Sequence, residues 1–211
     1  MSEGALSARI SAAPTDPIFG IVELHRADPR PHKINLAAGV YMDEQGVTPI
    51  LPSVRAAEER ILASTTSKLY MPISGDPAYL ASAKSLLCRT GGGAWGEIEP
   101  AAAERVQMIH TPGGTGAVRL AVDLVSRLRP GAEIWVGEPT WPNHTQIIES
   151  SRITARRHDW ITDDTRSLNT GALFDAIAAA KGGDAMILHG ACHNPTGIDP
   201  TPDQWIEIAQ Q

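Results

Sequence analysis

Apolar positions recur every three or four residues in several separate stretches of the chain, and short apolar runs stand between the later ones. Ile18, Ile21, Val22 and Leu24 share one side of a helix, and so do Ile50, Val54, Ala57 and Ile61. Asp76 before Pro77 supplies an N-cap and a first-turn proline for a further helix through Leu87. Beyond the glycine-rich segment 89–100, apolar runs at 106–110, 132–136, 153–158 and 185–189 alternate with helical spacing at 116–129, 143–150 and 173–180. Strands separated by helix-length segments imply β-α-β units, hence an α/β fold with a largely parallel sheet. In such sheets ligands bind outside the carboxyl ends of the strands. The loops after 106–110, 132–136 and 185–189 are therefore the places where chemistry is expected. A last helix is announced by Thr201, Pro202 and Gln204, which have capping-box spacing.

The first fifty residues are broken by Pro14, Pro17, Pro29, Pro31 and Pro49. Residues 1–48 read as an arm and small-domain segment, and 49–211 as the large domain. The sequence shows no internal repeat.

Composition narrows the function. Apolar residues make up 42% of the 211 and charged residues 20%, the balance of a chain that buries a core. A formal charge of -6, without clustered arginines beyond Arg156 and Arg157, argues against nucleic acid as a partner. Cys88 and Cys192 are too few for a disulfide framework, and the opening residues have no apolar core of the signal-peptide kind. No run approaches the roughly 20 apolar residues of a membrane span. The expectation is a cytoplasmic protein with reduced thiols and no membrane association.

Three strand-end loops carry residues suited to chemistry. Gly113, Gly114, Thr115 and Gly116 lead from a strand into a helix, where free N–H groups and a hydroxyl can cradle a phosphate. The loop lacks the Lys-Ser/Thr ending of a triphosphate loop and the third glycine of a dinucleotide fingerprint, so a Rossmann-type nucleotide site is disfavoured. The alternative is a plain glycine-rich turn without a ligand. Trp141, between two prolines, could stack on a flat ligand or close over the sheet edge. The stretch 189–200 holds His189, Cys192, His193 and Asn194. Cys192 and His193 are adjacent, so their side chains diverge, and with His189 they lack zinc spacing; no metal is expected. The Asn-Pro-Thr-Gly turn can instead hold the Asn194 amide above the strand ends. Together the three loops could surround a flat, phosphorylated, polar ring, a description that fits pyridoxal phosphate.

The segments "KINLAAGVY", "TPGGTGAVR", "PTWPNH" and "HGACHNPTGIDPT", in this order, resemble the motifs of class I aminotransferases of the aspartate and aromatic amino acid group. The resemblance covers nearly the whole chain. It implies the pyridoxal-phosphate fold type I architecture, with an incomplete large cofactor-binding domain, and transfer of the amino group of aspartate or an aromatic amino acid to 2-oxoglutarate or a similar 2-oxo acid. The cofactor would alternate between pyridoxal and pyridoxamine forms. By the same resemblance Gly114 and Thr115 hold the cofactor phosphate, Trp141 stacks on the ring, and Asn194 donates to its phenolic oxygen. Trp141 and Asn194 also border the substrate. Gly39 meets the substrate carboxylate through its backbone, and Ile18 belongs to a flap over the site. Tyr70 reaches the phosphate of the neighbouring subunit's cofactor, which implies a homodimer, and His144 and His189 lie beneath the ring. Ala38, where the family often has a larger aliphatic residue, is a departure.

A second departure concerns catalysis. Transamination needs a lysine to hold the cofactor as a Schiff base and to move the proton, a carboxylate at the pyridine nitrogen, and an arginine for the substrate carboxylate. In the family these lie downstream of the Asn-Pro-Thr-Gly loop, beyond Gln211. Lys33, Lys68, Lys84 and Lys181 are the lysines present, and none stands in a strand-end loop. The expectation is therefore the N-terminal portion of an aminotransferase, inactive alone; the competing reading is a truncated binding or regulatory subunit that pairs with a full-length partner.

Overall fold

The computed structural model describes residues 17–35, 39–87 and 104–211. Ala38, Cys88 and the glycine-rich segment 89–100 lie outside these residues. The chain divides into two compact units, Met1–Leu69 and Tyr70–Gln211.

The first unit carries helices α1 (Pro17–Ala27) and α2 (Pro52–Ser64). Both start at a proline, which lacks the N–H that a first turn cannot use. Beyond α1 the Lys33 ammonium donates to the carbonyls of His25 and Asp28, each at 2.7 Å, so a cation satisfies acceptors at the negative end of the helix dipole. Of the stripe read here, Val54, Ala57 and Ile61 lie on α2 while Ile50 precedes it, and Val54 and Ile61 are exposed.

The second unit contains α3 (Pro77–Leu87), α4 (Gly113–Leu128), β1 (Glu133–Glu138), α5 (Pro142–Ser150), β2 (Thr154–Asp159), α6 (Thr170–Ala179), β3 (Ala185–Ile187) and α7 (Pro202–Gln210). The Asp76 carboxylate caps α3 by accepting the N–H of Tyr79 at 2.8 Å. Thr201 and Gln204 close the capping box of α7 reciprocally.

The sheet is parallel in the order β2-β1-β3, with Glu133 beside Thr154, Ile134 beside Ala185 and Val136 beside Ile187. Because side chains alternate along a strand, Ile134 and Val136 share one face. They are buried there with Val122 of α4 and Ile147 and Ile148 of α5. Each fully buried aliphatic side chain contributes about 1.5–3 kcal/mol of transfer free energy. No helix among the described residues is long and apolar enough to cross a membrane.

Residues 106–110, expected as a strand, form no ladder with another described residue. The His110 N–H instead reaches the carbonyl of Ser74 at 2.9 Å, across the turn that precedes α3. Apolar periodicity makes a segment fit for a strand, but only a neighbouring backbone makes it one. β3 ends at Ile187, and Leu188 and His189 already belong to the loop beyond the sheet.

Candidate functional site

Two of the three strand-end loops meet beyond the carboxyl ends of β1 and β3. A cleft of about 370 Å³, within the size range of small-ligand sites, is lined by Val118, Trp141, His144, Ile187, His189 and Asn194, among others. Four residues singled out in the sequence thus share one wall-to-wall space. A larger groove of about 760 Å³, lined by Ile73, Ile109, His110, Gly116 and Leu120 among others, is mostly apolar; it takes Gly116 of the glycine-rich loop but not Gly114, Thr115, Trp141 or Asn194.

Local geometry explains the convergence. Trp141 stands at the N-cap of α5, and the first turn folds His144 back beneath it, with the His144 N–H on the Trp141 carbonyl at 2.9 Å. The two rings meet edge to face at 5.2 Å between centroids. His144 is buried, and its Nδ1 lies 2.9 Å from the Thr140 hydroxyl. His189 meets it edge to face at 5.2 Å, and His193 stacks on His189 at 4.1 Å.

These histidines are held neutral. Burial pushes the His144 pKa down, with the nearby His189 adding to it, and burial also lowers His189 against the opposing pull of Asp199. His193 is pushed down to about 4, by burial first and by His189 next. Neutral imidazoles beneath a ligand can donate or accept hydrogen bonds without adding charge.

The Asn194 loop is fixed by its own polar groups. The Asp199 carboxylate accepts the N–H groups of Cys192 and His193 at 2.6 and 2.7 Å, and this holds its pKa below the usual carboxylate range. The Thr196 hydroxyl lies 2.8 Å from His193 Nδ1, and the Asn194 N–H donates to His189 Nδ1 at 2.9 Å. His189 Nε2 is buried without a hydrogen-bond partner. Cys192 takes a left-handed backbone, φ 55°, and faces solvent while His193 is buried, so their side chains do diverge.

Gly114 and Thr115 occupy the exposed first turn of α4, one turn before Val118, which lines the cleft. Residues three and four apart lie on one helix face, so Gly114 and Thr115 share a face with Val118, while Pro112 and Gly116 of the same loop line the larger groove. Pro112 precedes α4 without a side-chain cap, and a Cβ on Gly114 would meet nothing within 4 Å. The first-turn N–H groups are thus open to an anion.

Other expected residues are placed differently. Tyr70 opens the second unit, fully exposed and outside the cleft lining. Ile18, on α1, and Gly39, exposed with open space around its Cα, belong to the first unit. Among the described residues no group of three or more histidine, cysteine or acidic side chains has metal-binding geometry.

Sequence reading passed over Trp160 and Asp199. Trp160 is 1% exposed, stacks on His193 at 4.5 Å with the ring planes 9° apart, and donates its indole N–H to the Ile198 carbonyl at 3.0 Å. A tryptophan directly after a strand reads as core, and nothing local announces that a loop thirty residues on will rest against it.

The comparisons with known proteins bear on family and fold. Residues 31–211 match the family model described as aminotransferase class I and II. The chain is 41% identical over 201 residues to aspartate aminotransferase of Escherichia coli, covering 95% of this chain and 49% of that protein. It is 38% identical over 202 residues to the aromatic-amino-acid aminotransferase of Pseudomonas aeruginosa, covering 95% of this chain and 49% of that protein. Among solved structures, the aromatic-amino-acid aminotransferase of Burkholderia pseudomallei, covalently bound to pyridoxal phosphate, superposes with a TM-score of 0.88 at 34% identity over 98% of this chain and 50% of that one. The aspartate aminotransferase from Saccharomyces cerevisiae cytoplasm gives 0.87 at 31% identity, covering 98% of this chain and 49% of that one. This chain spans about half the length of the relatives it matches. The α/β fold is accordingly that of the fold type I aminotransferases over the half it spans, and the chain belongs to the class I and II aminotransferase family.

Proposed function

We propose that this chain forms the pyridoxal-phosphate cradle of an aminotransferase that moves the amino group of aspartate or an aromatic amino acid to 2-oxoglutarate or a similar 2-oxo acid. The observation that carries the reading is the single cleft that gathers Trp141, His144, His189 and Asn194 against Val118 of α4.

The residues present fit a phosphorylated pyridine. The open turn at Gly114 and Thr115 offers backbone N–H groups and a hydroxyl to the phosphate, with the positive end of the α4 dipole behind them. Trp141 offers a flat face to the ring, and Asn194 an amide donor to the ring oxygen. The buried Nε2 of His189 is an unsatisfied polar atom on the wall of the same space. When bound, the cofactor supplies the electron-withdrawing ring that stabilises negative charge at the amino acid's α-carbon. The chain's own share is to bind and orient: a donor at the ring oxygen favours its ionised form, and neutral histidines beneath leave the charge balance to other groups.

In this reading Ile18 and Gly39 border the substrate together with Trp141 and Asn194. Residues 1–48 form arm and small domain, and 49–211 the cofactor domain. Tyr70 serves a second copy of the chain, and its full exposure supports that role. A cytoplasmic homodimer follows from the same reading. The 211 residues alone do not turn over, because Lys33, Lys68, Lys84 and Lys181 all lie outside the cleft lining.

The test is amino transfer from aspartate and from aromatic amino acids to 2-oxoglutarate by the full-length protein, with and without Asn194→Ala. Transfer that Asn194→Ala weakens supports the reading; no transfer from any of these donors removes it.

A further inference from the structure

We infer that Trp160 is a positioning residue for the cofactor-facing loop, clamping both sides of the Asn-Pro-Thr-Gly turn so that the Asn194 amide is presented rigidly to the cleft. The inference rests on the role proposed above for Asn194.

Trp160 touches the loop twice. Its ring stacks on His193, the residue just before Asn194, and its indole N–H holds the carbonyl of Ile198, four residues beyond. The turn between them closes on itself through the Gly197 N–H and the His193 carbonyl at 2.7 Å. Two fixed points flanking a closed turn leave it little freedom to tilt.

Trp160 is itself anchored to the sheet. Its N–H donates to the carbonyl of Glu138, the last residue of β1, at 2.9 Å, and its carbonyl accepts the N–H of Asn169 at 2.9 Å. Glu138 lies three residues before Trp141. One tryptophan therefore ties together the chain segments that carry Trp141 and Asn194.

The sheet makes room for this side chain at Gly137. A Cβ on Gly137 would lie 3.0 Å from Trp160 Cε3 and 3.1 Å from its Cβ, closer than ordinary packing allows. Gly137 faces away from Ile134 and Val136 by strand alternation, and the indole covers the space its missing side chain leaves.

The experiment uses the full-length protein, first free of cofactor. Amide hydrogen exchange at Asn194 and Gly197 is compared in wild type, Trp160→Leu, Trp160→Phe, Gly137→Ala and Leu173→Ala. Leu173, buried in α6 outside the cleft lining, controls for general destabilisation. Trp160→Leu loses stack and hydrogen bond and should speed exchange at these amides roughly tenfold. Trp160→Phe keeps a ring and should fall between, and Gly137→Ala should act in the same direction without touching the loop. Equal exchange in Trp160→Leu and in a Leu173→Ala protein of matched melting temperature would overturn the inference. If Trp160→Leu does not fold, Trp160→Phe and Gly137→Ala decide, and wild-type exchange in both overturns it.

The second arm adds pyridoxal phosphate and follows the pH dependence of its absorption. Asn194→Ala shifts the titration of the bound ring if the proposed role of Asn194 holds, and Trp160→Leu then shifts it in the same direction. A shift with Asn194→Ala and none with Trp160→Leu counts against the clamp alone. No shift with Asn194→Ala removes the role of Asn194, while the exchange data still judge Trp160.

Discussion

The backbone N–H of Asn194 donates to Nδ1 of His189 at 2.9 Å. An acceptor at Nδ1 places the proton of the neutral imidazole on Nε2, the nitrogen that is buried without a partner. Nitrogen NMR of the cofactor-free protein should find the Nε2-protonated tautomer. His189→Leu should weaken pyridoxal-phosphate binding about fivefold, the equivalent of one modest hydrogen bond. An Nδ1-protonated signal would break the assignment.

Acid should loosen the same region early. His193 titrates in the folded chain at about 4, below its ordinary 6.5, so between these values the unfolded state binds a proton that the folded state refuses. Stability from this group is complete above the unfolded value and declines as the pH falls through that window. His144 and His189 shift in the same direction. Melting temperatures should drop from pH 7 towards pH 4, and His193→Phe should flatten part of that slope. A wild-type profile flat across the window would contradict the burial of neutral histidines.

Gly75 has a φ of +106°, and a Cβ there would stand 2.2 Å from Cβ of His110. Gly75→Ala combines backbone strain with a steric clash and should cost roughly 2–4 kcal/mol in denaturant unfolding. Gly46→Ala, with φ +72° but nothing within 4 Å, should cost less. Equal losses would show that the contact with His110 plays no part.

The 211-residue chain, mixed with pyridoxal phosphate and reduced with borohydride, should yield no stoichiometric adduct at a single lysine. Lys33 is engaged with the carbonyls of His25 and Asp28, and no lysine lines the cleft. A unique modified lysine found by mass spectrometry would overturn this.

How much of this was readable beforehand differs by residue. Helix starts were legible because their signals are local: Asp76-Pro77 and Thr201-Pro202 carry their caps within four residues. Strands at 132–136 and 153–158 were legible from apolar runs, but 106–110 was not settled by its pattern, since pairing is a property of the neighbour. Trp141 and Asn194 could be gathered on paper because parallel sheets place such loops at one end, whereas His144 and His189 entered only through the family resemblance. Trp160 and Asp199 could not: their partners are set by the turn geometry of residues 189–199, where Cys192 and Gly197 adopt positive φ.

The central claim is that the cleft beside α4 is a pyridoxal-phosphate cradle. The most direct measurement is the affinity of the full-length protein for pyridoxal phosphate in wild type, Trp141→Ala and Thr115→Asp. Loss of the stacking face should weaken binding about two- to tenfold, and a carboxylate set against the phosphate by more than about tenfold. Equal affinity in all three proteins would place the cofactor elsewhere and contradict the account.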